Sequence, residues 1–196
     1  MNHLIVAAHP NPESFNHAIL QTAVQALKAK GHEVVVRDLY ALQFEPVLTL
    51  EDFSALRTGQ IPSDIKAEQE YIASADVITF VYPIWWTGLP AILKGYVDRV
   101  FAYGFAYAYG KDGTIEKLLP GKKGLFINTH GTPGEIYDSN GMTDALKKTS
   151  DVGIFEFCGI EVVDHLLFGA VSQVDDAARK EMLKQVEERV SSLFQV

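Results

Sequence analysis

Five short runs of the chain, residues 3–8, 33–38, 76–82, 124–129 and 160–168, are rich in Val, Ile, Leu and Phe. Several are too continuously apolar for strands with one wet face, and they predict central strands buried on both sides. Between them the period changes. Ile19, Leu20, Ala23, Val24 and Leu27 fall on one helical stripe, and Ile92, Leu93, Tyr96, Val97, Val100 and Phe101 on another, with Pro90 suited to a helix first turn. "SQVD" from Ser172 to Asp175 reads as an N-terminal cap, after which Leu183, Val186, Val190 and Leu193 continue an apolar face. Strands alternating with helices predict an α/β fold with a parallel sheet and helices on both faces. Pro46, Gly59 and Pro62 break the pattern, so residues 40–62 are expected to form a long surface excursion.

Composition narrows the class. With 196 residues, 47% hydrophobic and 21% charged, the chain can close one sizeable core, and a single domain over 1–196 is expected. A formal charge of −8 disfavours nucleic acid or an anionic membrane surface as partner, because both would be repelled. The lone cysteine, Cys158, excludes an intrachain disulfide and a cysteine-rich zinc site, and its "FEFCGI" setting reads as buried packing in which a thiol is inert. Strand-like residues begin at once with no signal peptide ahead of them, and no apolar run approaches the ~20 residues of a membrane span, so a cytoplasmic protein is expected. The six histidines, at 3, 9, 17, 32, 130 and 165, show no metal-ligand spacing, and no metal is predicted.

In an open parallel sheet the loops leaving the carboxyl ends of the strands share one edge, where ligands bind. Three such loops are chemically unusual: His9 to Asn16, Pro83 to Gly88, and Thr129 to Tyr137. The first opens a helix, whose free N–H groups and dipole favour an anion, and Ser14 and Asn16 can add hydrogen bonds or simply cap the helix. It carries no G-x-G-x-x-G, and "GKKG" at Gly121 lacks the rest of a nucleotide P-loop. The second sets Trp85 and Trp86 beside Pro83, suited to a planar ligand, to core packing or to a subunit interface. The third combines Gly131 and Gly134 with Thr129 and Tyr137, which suits close backbone approach to a ligand or an ordinary glycine turn.

The stretches "AHPNPESFN", "YPIWWTGLPAILKGYVDRVF", "GFAYAY" and "NTHGTPGEIY" together resemble the NAD(P)H:quinone oxidoreductase family, flavoproteins of flavodoxin-like fold, from Leu4 to about Leu167. The resemblance implies a five-stranded parallel sheet and a flavin. It matches His9, Ser14, Phe15, Asn16 and Ala18 to positions at the flavin's phosphate end. Pro83, Ile84, Trp85, Trp86 and Thr87 match positions bordering one side of the ring, and Asn128, Thr129 and Gly131 the other. Tyr137 matches the catalytic tyrosine beside the ring. Tyr107 and Tyr109 match acceptor-facing positions supplied to the other subunit of a homodimer.

Two departures bear on the chemistry. The animal enzymes pair the tyrosine with a histidine six positions later, where this chain has Thr143, which cannot become a cation. His130 lies in the same loop, and it is expected to be solvent-facing or at the ring edge rather than catalytic. The sequence also ends with the helix after the fifth predicted strand, without the C-terminal extension of the animal enzymes, which leans the cofactor towards FMN with FAD as the alternative. The implied activity is NAD(P)H-dependent two-electron reduction of quinones, with azo or nitro compounds as further acceptors, by a ping-pong hydride transfer. Two other classes stay open: a flavin-bearing regulatory subunit of a potassium-efflux system, and a flavodoxin-like electron carrier.

Overall fold

The computed structural model describes residues 1–195. Its centre is a five-stranded, wholly parallel sheet of β1 (Asn2–Ala7), β2 (Glu33–Asp38), β3 (Val77–Pro83), β6 (Lys123–Thr129) and β7 (Glu161–Phe168), in the order β2-β1-β3-β6-β7. Each strand falls on one of the five predicted apolar runs. β3 is buried along its whole length, as a strand covered on both faces must be.

Alternate residues of the strands feed two cores. Leu4, Val6, Ile78, Phe80, Tyr82 and Phe126 pack on one face against α3 (Ser63–Ser74) and α4 (Ala91–Val100). Ile5, Ala7, Val77, Val81, Leu125 and Ile127 pack on the other against α1 (Phe15–Ala29) and α7 (Asp176–Leu193). The predicted stripes of α1, α4 and α7 therefore find their faces. The α7 cap forms one turn later than "SQVD" suggests, because it is the Asp175 side chain that accepts the Ala178 N–H.

Residues 40–62 do run over the surface, with Asp52 as their one buried residue, but the excursion has structure of its own. Within them α2 (Leu50–Thr58) forms, opened by a capping box in which Thr49 and Asp52 exchange hydrogen bonds and closed by Gly59 in the left-handed conformation at φ 70°. Pro62 then starts α3. Gly59 and Pro62 are thus the facing ends of two helices, while Pro46 lies ahead of the first. α3 escapes the apolar-periodicity test for a related reason: its inward positions Ile65, Glu68, Gln69 and Ile72 keep helical spacing, but two of them are polar. Glu68 is paired with Arg37, and Gln69 donates to the Val100 carbonyl.

The segment is tied down by a buried guanidinium. Arg99 of α4 makes paired bonds to Asp52 (Nε–Oδ2 3.2 Å, Nη2–Oδ1 3.0 Å) and also reaches the Glu45 carbonyl and Asp64. Gly95, one turn earlier, lets Pro46 sit against the helix, since a Cβ there would lie 2.1 Å from the Pro46 oxygen. A two-stranded ribbon, β4 (Tyr107–Tyr109) with β5 (Ile115–Lys117), follows α4. Between β6 and β7 run α5 (Gly134–Ser139), α6 (Met142–Lys147) and a π-helical segment, Lys148–Glu156.

The Asp52 carboxyl loses hydration on burial, but its bonds to Arg99 and Thr49 outweigh that and hold it below the usual carboxylate range. The ion pair thus stabilises the fold at neutral pH and is lost as pH falls through the folded pKa. Asp52→Asn, which leaves the buried guanidinium with only the half-exposed Asp64 as counter-charge, is expected to cost about 3 kcal/mol in urea unfolding at pH 7, and progressively less as pH falls through the folded pKa of Asp52.

Candidate functional site

The strand order puts β1 between β2 and β3, so the chain leaves β1 to one side and later returns on the other. The crevice at such a switch point opens at the carboxyl ends of the strands. A cleft of about 320 Å³ lies there, lined by His9, Ser14, Phe15, Asn16, Pro83, Ile84, Trp85, Thr129, His130, Gly131, Val171 and Ser172. All three loops singled out in the sequence contribute. The loop after β7 adds Val171 and Ser172, which the residue-type search passed over; the parallel-sheet rule alone would have found them, since β7 ends at the same edge.

The first loop turns into α1 through Ser14, whose hydroxyl caps the helix by accepting the His17 N–H at 3.3 Å. The first turn leaves the N–H groups of Phe15 and Asn16 without intrahelical acceptors, and it carries no acidic side chain. An anion would meet free donors and the positive end of the dipole there. The Asn16 side chain is buried and bonded to Thr129 (Nδ2–Oγ1 2.9 Å), tying the first loop to the third. Burial holds the His9 imidazole below its ordinary pKa.

The second loop is a tight turn in which Trp85 and Gly88 exchange backbone bonds (3.2 and 3.1 Å), with Trp86 and Thr87 between them at φ 51° and 58°. Positive φ at both central residues is the primed-turn geometry, normally filled by Asn-Gly. A β-branched threonine there is strained. The turn holds the Trp86 ring wholly in solvent, at 101% exposure, and Trp85 half out on the cleft wall. Neither ring fills the core, which removes one of the readings open for the pair.

In the third loop one of the two positions expected for His130 falls away. Its imidazole is not solvent-facing: the residue is only 5% exposed, and its ring lies face to face with Tyr137 (centroids 4.5 Å apart, planes 16° apart). Nδ1 is buried without a hydrogen-bond partner, and burial pushes the imidazole pKa down. A neutral ring therefore stands in the cleft wall beside Tyr137. Thr143 donates its hydroxyl proton to Asp138 (2.6 Å).

Other candidates lie apart from the cleft. Asn128 is fully buried behind it, its amide held between the Tyr82 carbonyl (3.3 Å) and His165 Nε2 (2.5 Å), while His165 Nδ1 meets Asp151 at 2.7 Å. Ala18, Trp86 and Thr87 are near in sequence but are not among its lining residues; Tyr137 reaches it only through its contact with His130, and Tyr107 and Tyr109 do not line it either. Those two tyrosines cluster with Tyr103 (centroids 5.7–6.1 Å) on the β4–β5 ribbon, and Tyr107 lines a larger apolar cleft of about 800 Å³ with Leu48, Leu50, Phe53 and Leu56. Cys158 is buried beneath the ribbon side of the core, and its thiol is pushed up to about 11 by burial, as an inert cysteine should be. Among the described residues no group of three or more His, Cys, Asp or Glu could hold a metal ion, and no helix is long and apolar enough to cross a membrane.

Comparison with known proteins agrees with this geometry. A family model described as a flavodoxin-like fold matches residues 1–190. An uncharacterized NAD(P)H oxidoreductase of Haemophilus influenzae is 43% identical over 94% of this chain and 91% of its own. The rat NAD(P)H dehydrogenase [quinone] 1 is 34% identical over 98% of this chain and 77% of its own. The solved NAD(P)H:quinone oxidoreductase from Methanothermobacter marburgensis superposes with a TM-score of 0.86 at 28% identity, covering 100% of this chain and 97% of that one. The chain therefore belongs to the flavodoxin-like-fold family and, within it, to the NAD(P)H:quinone oxidoreductases, and it is an oxidoreductase.

Proposed function

We propose that the carboxyl-edge cleft holds a flavin, with FMN as the occupant, and that the protein uses NAD(P)H to reduce small quinones in the cytoplasm. The observation that carries this reading is the convergence on one cleft of a helix start with free N–H groups, a half-exposed tryptophan and a buried imidazole whose Nδ1 has no partner. Those features fit a flavin's three parts. The free N–H groups of Phe15 and Asn16 and the Ser14 hydroxyl suit a phosphate. Pro83, Ile84 and Trp85 form an apolar wall of ring size, and Thr129, His130 and Gly131 provide the polar wall opposite.

When bound, the flavin supplies the hydride chemistry. The chain's residues orient and balance charge. Trp85 and Ile84 exclude water from one face, while backbone N–H groups of the third loop and the Tyr137 hydroxyl donate to charge that develops near the polar wall. With no cation available at Thr143, this stabilisation falls to neutral donors. Donor and acceptor use the same opening in turn. The tyrosines Tyr107 and Tyr109, which do not line their own chain's cleft, wall the acceptor side of the other protomer in a homodimer. Azo or nitro compounds that fit the same opening are secondary acceptors.

The purified protein is expected to show flavin absorption and to release FMN rather than FAD on denaturation. Double-reciprocal plots of NAD(P)H oxidation at several quinone concentrations should be parallel; intersecting lines would mean that both substrates bind together. Tyr137→Phe is expected to slow flavin reduction by NAD(P)H about tenfold, ~1.4 kcal/mol, in rapid-mixing experiments. Tyr107→Ala should instead chiefly slow the acceptor half-reaction. Thr87→Gly relieves the strained turn, so it is expected to raise the unfolding free energy by about 1 kcal/mol while weakening flavin retention.

A further inference from the structure

His17 is buried beneath the first turn of α1 and bonded at both ring nitrogens. Nε2 meets Asp38 Oδ2 at 2.9 Å, and Nδ1 meets Ser14 Oγ at 3.1 Å. The other oxygen of Asp38 accepts the N–H groups of Tyr40 and Ala41 at 3.2 and 3.3 Å. With one oxygen taken by two backbone donors, the Asp38 carboxylate presents the other as an acceptor, so the proton of its bond to His17 sits on Nε2. What varies is the proton between Nδ1 and Ser14.

Ser14 has one hydroxyl proton to give. While His17 is neutral, its Nδ1 lone pair takes that proton, and the hydroxyl has none left for a ligand in the cleft. When Nδ1 is itself protonated it donates to Ser14 Oγ, and the hydroxyl proton is free to turn outward. The two arrangements need no change in heavy-atom positions. A phosphate monoester at the α1 start selects the second, because it requires donors and because its negative charge stabilises an imidazolium one turn away.

We propose that Asp38 and His17 form a positioning pair that sets the direction of the Ser14 hydroxyl, so that binding of a phosphate monoester at this helix start takes up a proton from solvent onto His17. The inference rests on the proposed placement of the flavin phosphate. The titratable groups facing His17 are Asp38 at the end of β2 and His9 in the β1 loop, whose ring centroid is 6.3 Å away. On its own element the first turn carries no acid, and Glu13 just before it is exposed. Burial holds the His9 imidazole below its ordinary pKa, with the neighbouring His17 adding to the effect, and only His17 bonds Ser14 directly, which points to His17 as the acceptor of the proton.

The test titrates the full-length apoprotein with FMN and with riboflavin, which lacks the phosphate, between about pH 7 and 9, above the second phosphate ionisation near 6. Calorimetry in two buffers of different ionisation enthalpy counts the protons. Expected for the wild type are proton uptake and FMN affinity that falls with pH, by up to tenfold per unit, with neither seen for riboflavin. His17→Gln should abolish the uptake and flatten the pH dependence, and Asp38→Asn should diminish both; circular dichroism checks that each variant is folded. FMN binding by the wild type without proton uptake, or uptake equal for riboflavin, overturns the inference and leaves the flavin assignment standing. Uptake unchanged in His17→Gln assigns the proton to His9 and also overturns it. Failure of the wild type to bind FMN at any pH overturns the flavin assignment itself.

Discussion

The constraint on which the rest depends is the direction of the strands. Because all five strands of the sheet are parallel, every strand-to-helix loop leaves the same edge, and the β2-β1-β3 order opens a crevice at that edge between β1 and β3. Residues from 9 to 172 in the sequence are thereby brought to one cleft without any long loop having to fold back. Burial on both faces holds the sheet, and the close packing around β3 and β6 anchors the loops that leave them.

Around that sheet the buried ionic and amide groups are organised in satisfied pairs. Arg99 with Asp52, Arg37 with Glu68, and the Asn128–His165–Asp151 chain each place charged or amide groups inside and partner them there. Ion pairs of this kind add little net stability relative to apolar packing, but a missing partner is costly, so they enforce one arrangement of the elements they join. Arg99 fixes the otherwise poorly packed residues 45–64 onto α4, and the Asn128 chain braces the strand end that carries Thr129 and His130.

At the mouth of the cleft the priorities reverse. Two residues of a primed turn are strained, a tryptophan is left in water, and an imidazole nitrogen is buried without a partner. Each would be a defect in a protein that only had to fold. Their meeting on one cleft suits a ligand-binding surface, whereas the other unpartnered buried imidazoles, His3 and His32, lie together with Phe194 at the amino end of the strands.

The five strands, the faces of α1, α4 and α7, and the three unusual loops were legible in the amino-acid order because local periodicity reports burial directly: a strand covered twice must be apolar throughout, and a half-covered helix must be apolar every third or fourth residue. α2 and α3 were hidden because their facing ends carry Gly59 and Pro62, which also mark loops, and because the inward face of α3 uses Glu68 and Gln69. Only their partners, Arg37 and the Val100 carbonyl, make those residues acceptable inside, and partners distant in sequence leave no periodic trace. The same limit applied at the site. His9, Ser14, Trp85 and Gly131 could be named from their loops, but whether His130 faced water or lay flat on Tyr137, whether Asn128 faced the cleft or the interior, and which groups flanked His17 depended on contacts across the fold. Sequence determined which residues could do chemistry at the edge; the tertiary structure decided which of them are partnered, which are neutral and which are left free, because burial and proximity set those states and neither is a local property.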